Sequence, residues 1–165
     1  MATHELPIIG PTMLPESGVF LDRIGNQITA TNEIGNQLAV VMADGGSDEG
    51  FYGSFNVPQN YVGTPVIVVR GIIDGAMSSV TLQFGIQGIT KDHGEATDVA
   101  YSTEDTGNES SDHADEDLVE VTISLSNFSG FAVGDTVFYY FYIHASGDYA
   151  GNFLLTDLLF RYADT

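Results

Sequence analysis

The chain has 165 residues, 43% of them hydrophobic, with 10 Phe, 8 Tyr, 19 Gly and neither Cys nor Trp. Four Lys and Arg stand against 23 Asp and Glu, a formal charge of −19. Such a surface repels polyanions, which excludes nucleic acids and anionic membranes as direct partners, and the absence of cysteine excludes disulfides and thiolate chemistry. The length suits one domain, and the hydrophobic content is too high for intrinsic disorder. Aromatic residues with turn-forming Gly favour an all-β chain. The start, MATHELPIIG, has neither a basic n-region nor a long apolar h-region, so synthesis in a cytoplasm without a signal peptide is expected. No apolar run reaches the roughly 18 residues of a membrane helix.

Residues 1–16 carry Pro7, Pro11 and Pro15, which fix φ and remove donors, so an extended arm is expected. Ile8, Ile9, Met13 and Leu14 give that arm apolar content suited to lying along its own domain or a neighbouring subunit. Strands are expected at Val19–Ile28 and Gln37–Ala43, with IGNQ turns at 24–27 and 34–37. GFYGSFNVP alternates with Phe51, Gly53, Phe55 and Val57 on one face, and TPVIVVRGIID is an apolar run. SSVTLQFGIQGI puts Val80, Leu82, Phe84 and Ile86 on one side, the period-two pattern of a half-buried strand. DLVEVTISLS buries Val119, Val121, Ile123 and Leu125; DTVFYYFYIHA is apolar on both faces; NFLLTDLLFRYA closes the chain. About eight strands with turns between them indicate an antiparallel β-sandwich, best matched by a jelly roll over 17–165. An immunoglobulin-like sandwich is the rival, but its Cys…Trp…Cys core is absent.

Between two strong strands lies KDHGEATDVAYSTEDTGNESSDHADED, residues 91–117, with ten carboxylates and one Lys. It reads as an exposed acidic loop or flap, with DVAYST (98–103) as a short strand inside it. Calcium takes oxygen ligands in many arrangements, so Asp112, Asp115, Glu116 and Asp117 are candidate ligands, with Asp44, Asp48 and Glu49 a second group. The bland alternative is a solvated anionic surface. Zinc is disfavoured because His93 and His113 are far apart without Cys and His144 lies in a strand. There is no GxSxG elbow. Glu120, the one Glu within a strong strand, alternates outward, so enzymatic activity is not expected. Tyr52, Tyr61, Tyr101 and Tyr149 lie near turns and are candidates for stacking on a sugar, against the bland reading of core residues with wet hydroxyls.

The doubly apolar strand places Val137, Tyr139, Phe141 and Ile143 on one face and Phe138, Tyr140 and Tyr142 on the other. A two-layer sandwich buries one face, so the second needs a cover: the arm, a long loop or another subunit.

GFYGSFNVPQNYVGTPVIVVRG and FAVGDTVFYYFYIHASGDYAGNFLLTDLLFRYAD resemble a jelly-roll family of virion structural proteins of tailed phages, especially marine phages. The resemblance implies a non-enzymatic capsid decoration (cement) subunit on the outer capsid surface, bound to the major capsid protein and self-associated, with a homotrimer expected. On that reading Ile8, Ile9, Met13, Leu14, Phe138, Tyr140 and Tyr142 form the subunit or capsid interface, and no cofactor beyond calcium is implied. The alternative function is a glycan- or receptor-binding β-sandwich module of a phage tail or fibre.

Overall fold

The computed structural model describes residues 2–8, 14–15, 19–23, 38–43, 48–128 and 130–164. Among them there is no helix; the strands are β1 (Thr3–Pro7), β2 (Leu14–Pro15), β3 (Val19–Arg23), β4 (Leu38–Ala43), β5 (Glu49–Asn56), β6 (Tyr61–Asp74), β7 (Leu82–Lys91), β8 (Asp105–Glu109), β9 (Leu118–Ser124), β10 (Thr136–Ile143) and β11 (Asn152–Asp164). The first sheet has the order β3-β4-β11-β6-β9, with β1 also on β11, and the second the order β2-β5-β10-β7-β8. All pairings are antiparallel. From β4 onward the chain crosses between sheets at every step except the β7–β8 hairpin, which is a jelly roll of eight strands. The expected fold class is therefore the observed one.

The alternating residues meet between the sheets. Val119, Val121, Ile123 and Phe153 of the first sheet join Phe84, Ile86, Val137 and Phe141 of the second in one buried cluster. Phe84 packs on Phe141 and Phe153 with centroids 5.7 and 4.9 Å apart. The inward residues of β11 are Phe153 and Leu155, then Leu158, Phe160 and Tyr162. A register shift between Leu155 and Asp157 changes the parity, so both halves of the strand keep apolar residues inward. This bulge explains why NFLLTDLLFRYA has no clean period of two. Pro65 lies inside β6 rather than at its start, where a second shift lets Val62 and Val66 pair with Ala163 and Arg161.

The arm lies partly on its own domain. β1 pairs with Leu159–Ala163 of β11, the Ile8 N–H donates to the Leu158 carbonyl at 2.9 Å, and the Tyr139 hydroxyl donates to the Ile8 carbonyl at 2.7 Å. Ile8, expected at an interface, is instead buried in its own core at 4% exposure. Ile9 and Met13 lie outside the described residues, as do the turns at 24–27 and 34–37. The backbone of Leu14 pairs with Tyr52 at the edge of the second sheet.

The acidic stretch is not a single loop. Asp105–Glu109 forms β8 on β7, whereas 98–103 is irregular. DTGNE has no apolar side chain; its place comes from tertiary partners. The buried Asp105 carboxylate accepts the Ser126 hydroxyl at 2.6 Å and the Asn127 N–H at 3.0 Å. At Gly107 a Cβ would stand 2.8 Å from Ile123 Cγ1, so only glycine lets the strand sit this close.

Candidate functional site

Because Tyr139 and Phe141 enter the core, Phe138, Tyr140 and Tyr142 project from the opposite face of β10. Register places Ser54 and Ile89 beside Phe138, Tyr52 and Gln87 beside Tyr140, and Gly50 and Gly85 beside Tyr142. Tyr52 stacks on Tyr140 at 4.7 Å and 30°, and Tyr140 stacks on Tyr142 at 4.9 Å and 22°. Tyr101, from the acidic stretch, approaches Tyr52 at 6.4 Å. Four tyrosines thus form one continuous aromatic cluster, running from Tyr52, 38% exposed, to the buried Tyr142.

This answers the question of the cover. The segment before β8 passes over the outer face, fixed by the Ser102 N–H donating to the Gly88 carbonyl at 2.9 Å. Tyr142 lies over Gly85 and is 1% exposed. Its hydroxyl donates to Glu104 Oε2 at 2.5 Å, and Gln87 Nε2 donates to that hydroxyl at 3.3 Å. Burial first, and then the Glu104 carboxylate, hold the Tyr142 phenol well above its ordinary pKa. Phe138 and Tyr140 are half-buried.

Polar groups rim the Tyr142 end. His144 Nε2 lies 3.2 Å from Glu104 Oε2, and Ser146 Oγ lies 2.8 Å from His144 Nδ1. The Ser146 N–H also donates to Nδ1 at 3.0 Å, so Nδ1 is an acceptor and Nε2 carries the proton toward Glu104. The Ser146 hydroxyl donates to Gln83 Oε1, so Ser146, His144 and Glu104, a juxtaposition that sequence reading did not identify, are neighbours rather than a continuous hydrogen-bonded chain. Nucleophilic catalysis also needs free N–H donors for an oxyanion. Here the N–H groups of Ala145, Ser146, Gly147 and Asp148 are committed to Asp48 Oδ1, His144 Nδ1, the His144 carbonyl and the Thr81 carbonyl. These groups work as a hydrogen-bonding rim.

The other candidates fall elsewhere. Tyr149 is buried, and its hydroxyl lies 2.8, 3.0 and 3.2 Å from the carbonyls of Asp74, Gly75 and Asn152; Tyr61 packs against Phe131, Phe160 and Tyr162. Of the four sugar candidates, the structure brings together Tyr52 and Tyr101 and adds Tyr140 and Tyr142. Asp112 and Asp115 accept the N–H groups of Ser79 and Gly75, both at 2.8 Å, and Asp117 accepts that of Ala114 at 2.8 Å. With the Met77–His113 bridge they clasp the acidic loop to the turn before β7. Glu116 adopts φ 72° within that clasp. Among the described residues no three His, Asp or Glu side chains converge as a metal centre would require. Asp44 lies outside the described residues.

On the outer face of the first sheet, Glu5, Arg70, Glu120 and Arg161 form a closed network. Arg70 reaches Glu120 at 2.7 Å and Glu5 at 3.1 Å; Arg161 reaches Glu5 at 2.6 Å and Glu120 at 3.1 Å. Glu120 does face outward, yet two arginines dispersed in sequence meet there. Bonds from Arg161 and Arg70 hold the Glu5 and Glu120 carboxyls below their ordinary values.

No family model matches the chain, and no curated protein matches it in sequence. Among solved structures, the CBM22-1 xylan-binding domain of Xyn10C from Paenibacillus barcinonensis is 16% identical over 99% of this chain and 94% of that one, with a TM-score of 0.45. TmCBM61, solved with β-1,4-galactotriose, is 11% identical over 92% of this chain and 87% of that one, with a TM-score of 0.43. The family 11 carbohydrate-binding module of Clostridium thermocellum, solved with a β-1,3-1,4-mixed-linked tetrasaccharide, is 11% identical over 96% and 86%, with a TM-score of 0.41. Identities this low and TM-scores below 0.5 leave the role of the face to its own geometry.

Proposed function

We propose that this domain is a non-catalytic glycan-binding module and that the chain of sugars lies along the outer face of the second sheet. The observation that carries the reading is the tyrosine surface Tyr101–Tyr52–Tyr140, supported by the buried Tyr142 and rimmed by Gln87, Glu104 and His144. The stack presents ring edges and the 38% exposed Tyr52 to a sugar, while the rim offers donors and acceptors to its hydroxyls, the combination that small polar ligands require. The rows from Phe138 to Tyr142 run about 13 Å along the strand at 3.3 Å per residue, longer than one sugar ring.

Mobility retardation in gels containing soluble xylan, mannan, mixed-linkage glucan or galactan tests this. Retardation by at least one polysaccharide, weakened about 3- to 10-fold by Tyr52→Ala or Tyr140→Ala, supports the proposal. Binding unaffected by either substitution would sink it.

A second reading keeps the face and changes its occupant. Phe138, a half-buried ring without a hydrogen-bonding group, suits a protein interface core. On that reading the domain is a virion decoration subunit, trimeric, whose aromatic face meets the major capsid protein or another copy. Light scattering separates the readings: a trimer dispersed by Phe138→Asp favours the second, and a glycan-binding monomer the first.

A further inference from the structure

Beyond the end of β8 the edge of β7 is open. The His144 N–H donates to the Gln83 carbonyl at 2.9 Å, which makes 83 and 144 a hydrogen-bonded pair. By antiparallel alternation, residues 85, 87, 89 and 91 then bond β10, while the N–H and C=O groups of 84, 86, 88 and 90 point to the opposite edge. β8 covers that edge from Leu82 to Ile86, and Ser102 covers Gly88, donating to its carbonyl and accepting its N–H at 3.2 Å. Thr90 is next, and no strand among the described residues reaches that edge.

A cavity of about 260 Å³ opens there, with Gly88, Thr90, Lys91, Ala100, Ser102 and Asn127 in its walls. Among the described residues Lys91 is the only charged one lining it, in a chain of formal charge −19. Among the described residues Lys91 makes no ion pair, whereas Arg70 and Arg161 are each held by two carboxylates. Among the described residues the Thr90 hydroxyl is buried without a hydrogen-bond partner, on the inward face of β7 with Phe84 and Ile86, so Thr90 offers the cavity its edge backbone groups rather than its side chain. The Ser102 hydroxyl accepts from Gly88, which leaves its own proton to donate. The cavity therefore offers the Ser102 hydroxyl, the edge N–H of Thr90 and one cation.

Lys91 also lines an adjoining cleft of about 410 Å³ that reaches Phe138 on the aromatic face. The carboxylates at that cleft are turned to their own turn: Asp92 accepts the His93 N–H at 2.6 Å, and Glu95 accepts the Asp92 N–H at 3.2 Å. A ligand lying on the tyrosines can thus place its end at Lys91.

We propose that the open edge at Thr90–Lys91 is an acidic-sugar subsite, which takes the carboxylate of a uronic acid at one end of the glycan bound on the aromatic face. The inference rests on the glycan reading above. A lysine ammonium with N–H and O–H donors is the complement of a carboxylate, and bonds to a charged group are stronger than those to a neutral hydroxyl.

The test is titration of the full chain with D-glucuronate and, separately, D-glucose in 0.15 M salt, followed by amide chemical shifts, alongside gel retardation by neutral polysaccharides. Glucuronate should shift Thr90, Lys91 and Ser102, and glucose should not. Lys91→Met should weaken glucuronate binding about tenfold or more. Glucuronate binding that Lys91→Met leaves intact overturns the inference. So does equal binding of the two sugars. Neutral polysaccharide retained through Tyr140 with no response to glucuronate overturns the subsite and leaves the glycan reading standing. A Lys91-dependent glucuronate response with no polysaccharide retained supports the carboxylate site and overturns the glycan reading.

Discussion

Replacing Gly85 by Ala should damage both the stability of the domain and its aromatic face. A Cβ at Gly85 would stand 2.5 Å from Cε2 and Cζ of Tyr142 and 2.7 Å from its hydroxyl. The ring has nowhere to go: it is 1% exposed, stacked on Tyr140, and tied through its hydroxyl to Glu104. Overpacking of this kind costs about 1–3 kcal/mol. Displacing the ring also breaks a bond to a charged group, worth about 1.5–3 kcal/mol. The side chain of Glu104 is 35% exposed and regains water, so the lower end applies. Reduced unfolded-state entropy returns about 0.4–1 kcal/mol. The net loss is about 2–4 kcal/mol, or a fall in Tm of roughly 4–15 °C for a domain of this size. Tyr142→Phe is the control: it removes the hydroxyl and keeps the ring, so it should cost about 1.5 kcal/mol and leave glycan retention unchanged. Calorimetry with gel retardation reads both. If Gly85→Ala unfolds within about 0.5 kcal/mol of the parent, or Tyr142→Phe costs as much, the stacked support of the face is wrongly described.

Acid should weaken the first sheet. Folding lowers the carboxyl pKa values of Glu5 and Glu120, so their stabilisation is present above the unfolded value of 4.5 and is lost as pH falls through the lower folded values. Arg161→Met should make the loss of stability between pH 5 and 3 shallower, and cost only about 0.5–1 kcal/mol at pH 7, since these pairs are partly exposed. Denaturant melts across pH measure this, and an unchanged acid slope would contradict the network. Tyr149→Phe removes the donor facing three carbonyls beneath the Gly75 turn and should destabilise by about 1–2 kcal/mol; no change in the urea midpoint would count against that role. For Asp112, Asp115, Glu116 and Asp117, thermal melts with calcium and then chelator decide between backbone caps and metal ligands. Caps should give superimposable melts, and a calcium-dependent rise in Tm would reverse that assignment.

The sequence by itself determined the class and most inward-facing residues. Alternation is a local property, and Val119, Val121 and Ile123 or Leu82, Phe84 and Ile86 declare their buried face without reference to the rest of the chain. The charge is equally local, as is the need for a cover over Phe138, Tyr140 and Tyr142. What covers them was decided by tertiary structure. The segment carrying Tyr101 and Glu104 has no periodicity, and it crosses the sheet because Gly88 and Tyr142 offer it partners. β8 forms from a sequence without apolar residues because β7 has an edge to complete and Gly107 permits the approach. Arg70 and Arg161 become neighbours only because β6 and β11 are paired. The aromatic face unites residues of three segments, since the 88 positions between Tyr52 and Tyr140 in the chain collapse to one cross-strand pair. No period along the sequence encodes that contact, which exists only once the sheet has chosen its order.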